Sequence, residues 1–374
     1  MKYCNKLFRT RRPYDVESTD DLFVRAMREN VQWQYDHCAD YRRILDEAGF
    51  APGDIAQMDD LVRLPFLPTL YLKHHRLISV PERELFIKAT SSGTSGSFSE
   101  IGFDLPSLLR GLHMVITVGK YHRLWSLRPV HYLIFGYQPA LDNRTDISKT
   151  ALGFTFFAPA LSRTYALRHQ KDGGYALNME GMRAAFLKYE RSSAPIRTIG
   201  FPAYTYFLLK EMKEAGLRLK MPRGSLVTLG GGWKQFYAQK VEKADFYALV
   251  EEVLGIPEDH VVEFFGAVEH PILHTDCRCH HFHVPTYARV IIRDPDTMEP
   301  LPAGEVGLVN LLTPMVKSVP LASIMTDDLG RLTEGPCPCG ESSPRLEIIG
   351  RVGVRDIVTC AAGAEELLGG GKET

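Results

Sequence analysis

Apolar residues recur between Asp21 and Gly49 at Leu22, Val24, Met27, Val31, Tyr35, Tyr41 and Leu45. That spacing predicts one long helix or two consecutive helices, with Gly49 as the stop. Further along, short apolar runs at 130–136, 196–201, 225–232 and 260–266 each end in a glycine-bearing turn, and amphipathic stretches at 182–190, 203–216 and 246–255 lie between them. Strand–turn–helix alternation predicts an α/β fold with a mostly parallel, helix-covered sheet. Ligands in such sheets bind where the strands end, so the glycine turns are the places to search. Past Cys277 the texture changes again. Strand-like segments at 283–294, 305–314 and 344–352, with turns at 294–305 and 334–341, predict a β-rich subdomain.

Composition narrows the function classes. The 374 residues are 45% hydrophobic and 24% charged, ordinary values for a globular protein. The formal net charge of −1 offers no global field for nucleic acid or an anionic membrane, so no nucleic-acid partner is expected. No apolar run is long enough to span a bilayer, and the basic start lacks the apolar core of a signal peptide; a cytoplasmic protein without membrane insertion is expected. Seven cysteines in that compartment argue against a disulfide framework, and two C-x-C pairs, Cys277/Cys279 and Cys337/Cys339, point to metal.

The sharpest local signal is Thr90-Ser91-Ser92-Gly93-Thr94-Ser95-Gly96-Ser97, directly after the strand-like 85–89. Small hydroxyl residues and glycines let backbone N–H groups and hydroxyls converge on phosphate oxygens. A flexible Ser/Gly linker is the alternative, but one would not normally interrupt a domain between an apolar strand and an amphipathic segment. No Gly-Lys-Ser/Thr follows, so it is not a P-loop.

The segment Thr90–Ser97 resembles the phosphate-binding loop of the adenylate-forming superfamily, and further stations follow in the superfamily's order. Gly230-Gly231-Gly232 resembles the turn beside the adenine. Phe265-Gly266-Ala267-Val268-Glu269 resembles the motif whose aromatic ring packs near the adenine and whose Glu holds Mg²⁺. Gly304–Gly307 and Thr326–Gly330 resemble the next two stations, Asp328 being the carboxylate for the ribose hydroxyls. Asp327 stands where the superfamily has Gly, which leaves both aspartates as candidates. Gly350-Arg351 matches the hinge. The resemblance implies ATP, AMP and Mg²⁺ as cofactors and a carboxylic acid as substrate. The chemistry is consistent: a carboxylate attacking the α-phosphate needs cations and donors around the phosphates, and Glu269 is a hard oxygen ligand. Lys234 supplies a point charge to phosphate or carboxylate, or is a solvated lysine at a helix start.

Cys277, Cys279, His283, Cys337 and Cys339 offer the Cys and His donors that tetrahedral Zn²⁺ takes in structural sites. The preferred set is Cys277, His283, Cys337 and Cys339, with Cys279 as substitute. Phenylacetate–CoA ligase-like enzymes resemble this region and hold structural zinc there. Buried free thiols beside a surface His cluster are the alternative.

The chain as a whole resembles the LuxE family of acyl-protein synthetases, through Gly230–Lys234, Val268-Glu269-His270, and Gly350-Arg351 followed by a cysteine tail. That resemblance implies an adenylate-forming domain over 1–349, with the β-rich zinc-binding part around 271–349, and a short tail over 350–374 in place of the large C-terminal lid domain. Cys360 would accept the acyl group of a fatty or other hydrophobic acid as a thioester, with an acyl reductase as partner protein. The alternatives are an acyl- or aryl-CoA or amide ligase, which would not need Cys360, and a non-catalytic nucleotide-binding scaffold. Aromatic turns at Phe135–Gln138, Phe154–Phe157 and Phe201–Tyr204 are candidate walls of an acyl pocket or plain core.

Overall fold

The computed structural model describes residues 1–90, 99–139, 153–170, 173–233, 236 and 239–352. They form two compact units. The described parts of 1–91, 97–122 and 266–355 make the first, and those of 123–265 the second.

The first unit opens with α1 (Lys2–Leu7), α2 (Asp20–His37) and α3 (Ala39–Glu47). The apolar periodicity is therefore split between two helices, parted at Cys38, whose φ of −126° and ψ of 103° are extended. Gly49 turns the chain beyond α3 at φ +64°. Val24, Met27, Val31, Tyr41 and Leu45 are buried, as the spacing demands. Two buried positions of α2 are polar. Asn30 Nδ2 donates to the carbonyls of Pro314 and Val316 at 3.2 and 2.7 Å. Gln34 Nε2 lies 3.1–3.2 Å from the carbonyls of Val316, Lys317 and Val319. The helix thus satisfies backbone groups of an irregular segment that no sheet reaches.

Next come β1 (Leu67–Pro68), α4 (Thr69–His74), β2 (Leu85–Thr90), β3 (Glu100–Asp104) and α5 (Leu105–Tyr121). β2 and β3 pair antiparallel, with Thr90 opposite Glu100. Asp104 caps α5 by accepting from the Ser107 N–H at 3.3 Å.

The second unit holds β4 (Val130–Tyr137), β5 (Ala160–His169), β6 (Tyr175–Leu177), α6 (Met179–Glu190), β7 (Ile196–Gly200), α7 (Pro202–Glu214), β8 (Leu226–Gly230), α8 (Lys243–Leu254) and β9 (Val261–Ala267). The strand order β9-β8-β7-β4-β5-β6 is parallel except at the β5–β6 edge. The carboxyl ends of β4, β7 and β8 therefore share one edge. Leu133, Phe135, Phe186, Leu209, Val250 and Val253 are among the fully buried residues where helices cover the sheet.

The chain then completes the first unit with β10 (His270–Thr275), β11 (Phe282–His283), β12 (Arg289–Arg293), β13 (Val306–Leu312), β14 (Ser323–Thr333) and β15 (Arg345–Arg351). β10 packs against α5. The sheet β11-β15-β14-β13-β12 is antiparallel, and β1 lies parallel on β14. No helix among the described residues is long and apolar enough to cross a membrane.

Gln34→Leu keeps the shape of the α2 side chain but removes the donor that three buried carbonyls face. Its expected cost is about 1–3 kcal/mol of unfolding free energy, measurable by urea titration. A change within error would mean that water replaces the amide.

Candidate active site

Of the residues singled out in the sequence, Ser91, Ser92, Gly93, Thr94, Ser95, Gly96, Ser97, Lys234 and Cys360 lie outside the described residues. The others are placed as follows.

In the second unit, β8 ends at Gly230, and Gly231 and Gly232 follow at φ +82° and +68°. Two successive residues at positive φ strain any side chain other than hydrogen, so the glycines serve the turn itself. Trp233 is buried after them, its ring 5.6 Å from Tyr206 and 6.3 Å from Phe246. Phe265 sits half-buried near the end of β9. Among the aromatic turns, Phe135, Phe201 and Tyr204 belong to the core, whereas Phe154 and Phe157 line a small cavity with Tyr132, Arg197 and Phe264.

In the first unit, Thr90 closes β2. Glu269 occupies the turn between β9 and β10, is 5% exposed, and accepts a short hydrogen bond at Oε1 from Ser99 Oγ. Ser99 is fully buried and did not stand out in the sequence. Its only signal there is its place at the end of the Ser/Gly-rich segment. Gly266 is exposed, and a Cβ on it would lie 3.2 Å from the Ile272 carbonyl.

The pair β14–β15 assembles a second group. Asp328 lies opposite Arg351 in the ladder. The Arg351 guanidinium donates to Asp327 Oδ2 at 3.2 Å and stands 3.9 Å from Asp328 Oδ1. Thr326 Oγ1 donates to the Val309 carbonyl at 3.0 Å and accepts from the Asp328 N–H at 3.2 Å, which fixes the backbone that presents the two carboxylates. Asp328 is the more sheltered, at 22% against 40% for Asp327.

The cysteines form two turns of matching design. His280 N donates to the Cys277 carbonyl and Cys277 N to the His281 carbonyl, at 2.8 and 2.9 Å. Gly340 N donates to the Cys337 carbonyl and Cys337 N to the Glu341 carbonyl, at 2.9 and 2.8 Å. Each turn needs a left-handed residue: Gly340 at φ +103°, and His280 at φ +56°, its Nδ1 2.9 Å from Asp276 Oδ2. The donor atoms of Cys277, His283, Cys337 and Cys339 all lie within 4.8 Å of one another. Sγ of Cys277 and Cys337 are 3.9 Å apart, and Cys339 Sγ is 3.3 Å from His283 Nε2. His283 Nδ1 is 3.0 Å from the Ser343 carbonyl, which aims Nε2 at the thiols. Cys279 lies outside the set, its N–H donating to Cys277 Sγ at 3.4 Å. Burial by itself would raise the Cys337 thiol, but hydrogen bonds from the Cys339 N–H, His281 and His283 hold it well below the ordinary thiol range. Burial pushes Cys277 up. Three sulfurs and an imidazole nitrogen fit the donor type and number of a closed tetrahedral zinc site.

A family model described as acyl-protein synthetase, LuxE, matches residues 6–368. A long-chain-fatty-acid–luciferin-component ligase of Vibrio harveyi is 26% identical over 355 residues, covering 94% of this chain and 89% of that protein. A phenylacetate–coenzyme A ligase of Thermus thermophilus is 26% identical over 360 residues, covering 90% and 72%. The crystal structure of 2-hydroxyisobutyryl-CoA ligase in the postadenylation state, in complex with 2-HIB-AMP, superposes with a TM-score of 0.68 at 20% identity, over 91% of this chain and 70% of that one. The fold is that of adenylate-forming ligases.

The Asp327–Arg351 pair is a third or more exposed, so it adds little to the sheet. Asp327→Asn is expected to change the unfolding free energy by less than about 1 kcal/mol in a urea titration. A loss above about 2 kcal/mol would make the pair a structural clamp instead.

Proposed function

Because the chain belongs to the acyl-protein synthetase (LuxE) family, and is therefore a ligase of the adenylate-forming type, we propose that it activates a fatty acid with ATP and passes the acyl group to Cys360. The observation that carries this reading is the reach of the family match: it runs through residue 368 and so includes the tail cysteine as well as every adenylation station. The names of the Vibrio harveyi and Aliivibrio fischeri relatives, both long-chain-fatty-acid–luciferin-component ligases, support a long-chain acid.

In the first step a carboxylate oxygen of the acid attacks the α-phosphorus, the bond to the bridging oxygen breaks, and pyrophosphate leaves. Ser92, Thr94 and Ser95 would cradle the phosphates, and Lys234 would stand against phosphate or carboxylate. Gly231, Gly232 and Phe265 would flank the adenine, Asp328 would hold the ribose hydroxyls, and Arg351 would contact the nucleotide from the hinge. Glu269 would hold Mg²⁺, which offsets the repulsion between carboxylate and phosphate. In the second step the Cys360 thiolate attacks the acyl carbon, the mixed-anhydride C–O bond breaks, and AMP leaves. The thioester remains activated for a reductase partner. On this reading residues 1–349 are the adenylating body and 350–374 the segment that carries the acceptor. Zn²⁺ held by Cys277, His283, Cys337 and Cys339 would be structural, because four protein ligands leave no open position.

A second reading is favoured by the likeness to phenylacetate–CoA ligase: the same adenylate passed to the diffusible thiol of coenzyme A. Intact mass measurement after incubation with ATP, Mg²⁺ and a panel of fatty and aromatic acids separates the two. A hydroxylamine-labile acyl adduct is expected on the native chain and absent from Cys360→Ser. AMP release without an adduct on either protein would move the acceptor off the chain.

The metal proposal has its own check. Elemental analysis of the purified protein is expected to find about one zinc per chain, and Cys339→Ser to lower that content. Native protein free of zinc would leave the cluster as packed thiols.

A further inference from the structure

We propose that Ser99 is the positioning residue for Glu269: its hydroxyl holds Oε1 so that Oε2 is presented to the divalent cation of the metal–ATP complex. This rests on the adenylation reading and assigns the residue that sets the geometry of its metal carboxylate.

Burial and charge carry the argument. Glu269 is 5% exposed, yet among the described residues no lysine, arginine or histidine pairs with it, and its hydrogen-bond partner there is the neutral Ser99 hydroxyl. Removing a carboxylate from water without a cation is costly, and one neutral donor offsets only part of that cost. The remaining oxygen is suited to a cation that arrives with the substrate. A carboxylate free to rotate would meet such a cation in several poses; one with Oε1 fixed meets it in one.

The framework around the pair serves the same end. Ser99 immediately precedes β3, and β3 runs through Asp104 directly into α5. Glu269 immediately precedes β10, and β10 packs against α5. Both ends of the Ser99–Glu269 bond are therefore referred to one helix. The base of the β2–β3 hairpin is held as well: Arg76 pairs with Glu82 and Glu100, and Lys88 with the same two carboxylates at 3.4 and 3.5 Å. Thr90 and Glu100 face each other at the end of the pair from which residues 91–98 leave. The segment between them is the one whose composition suits phosphate binding. Ser99 thus links the start of β3 to the carboxylate of Glu269.

The test compares Ser99→Thr with Ser99→Val, which share a shape and differ in the hydroxyl, alongside Glu269→Gln. Mn²⁺ is titrated into each protein with ATP present and followed by electron paramagnetic resonance, and pyrophosphate-exchange kinetics are measured in parallel. Ser99→Val is expected to weaken Mn²⁺ retention about tenfold and to raise KM for metal–ATP while KM for the acid stays put. Ser99→Thr is expected to remain within about threefold of the native protein. Thr and Val variants that retain Mn²⁺ equally, while Glu269→Gln loses it, would overturn the role of Ser99 and leave the adenylation reading standing. Should Glu269→Gln also retain Mn²⁺ like the native chain, the assignment of Glu269 falls, and the inference with it. Thermal unfolding of the Thr and Val variants is expected to coincide. A Val variant that unfolds early while its folded fraction binds Mn²⁺ normally would likewise overturn the proposal.

Discussion

In the described part of the first unit a carboxylate, Glu269, is kept from water with a neutral hydroxyl as its hydrogen-bond partner. Glu269 sits in the turn between β9 and β10 at 5% exposure, where an apolar residue of similar size would carry no desolvation cost. The surroundings are built to hold it still. Ser99 approaches from the β3 side, His270 follows fully buried on β10, and α5 backs both strands. The hairpin before α5 is laced by ion pairs. Exposed pairs add little one by one, but Glu82 and Glu100 each meet both Arg76 and Lys88, and a closed network restrains a ribbon that is two-stranded among the described residues.

A second constraint runs along β15. At its start the strand follows Ser343, whose carbonyl orients His283, and it pairs with β11, where His283 lies opposite Arg345. At its end Arg351 stands opposite Asp328 and is bonded to Asp327. Seven residues of strand span roughly 20 Å. Whatever closes the thiol–imidazole cluster therefore also fixes the near end of the strand whose far end carries the guanidinium. The two cysteine turns meet through Cys277 Sγ and Cys337 Sγ, 3.9 Å apart, and the second turn leads into β15.

The sequence made the regular parts legible and the contacts across the chain illegible. Runs 130–136, 196–201, 225–232 and 260–266 became β4, β7, β8 and β9 because buried parallel strands are apolar throughout and need no alternation. β5, Ala160–His169, escaped notice because Ser162, Arg163 and Thr164 dilute its apolar signal, and β14 because Asp327-Asp328 interrupts it with charge. The helical stripe from Leu22 to Leu45 was visible, but its break at Cys38 was not, since no Gly or Pro marks it. The cysteine spacing pointed to a cluster of donors and left Cys279 as a substitute within it. Geometry brings His283 to the sulfurs because β11 and Ser343 aim its ring, while the Cys279 backbone turns back toward Cys277. Ser99 was beyond reach for the same reason: its partner lies 170 positions away.

The proposed acceptor adds a consideration of distance. Acyl adenylates are activated anhydrides, and the usual hazard is water. A thiol tethered to the same chain competes with water at an effective concentration in the millimolar range without having to be bound from solution. Between Arg351 and Cys360 an extended chain spans at most roughly 30 Å. That is short enough that the position of Arg351 governs where the thiol can go. The Arg351 contact with Asp327 and Asp328 then has two consequences. It places a cation beside the candidate ribose carboxylates, and it sets the anchor point of the tail. Departure of the nucleotide would change the charge around the anchor just when the acyl group has to leave.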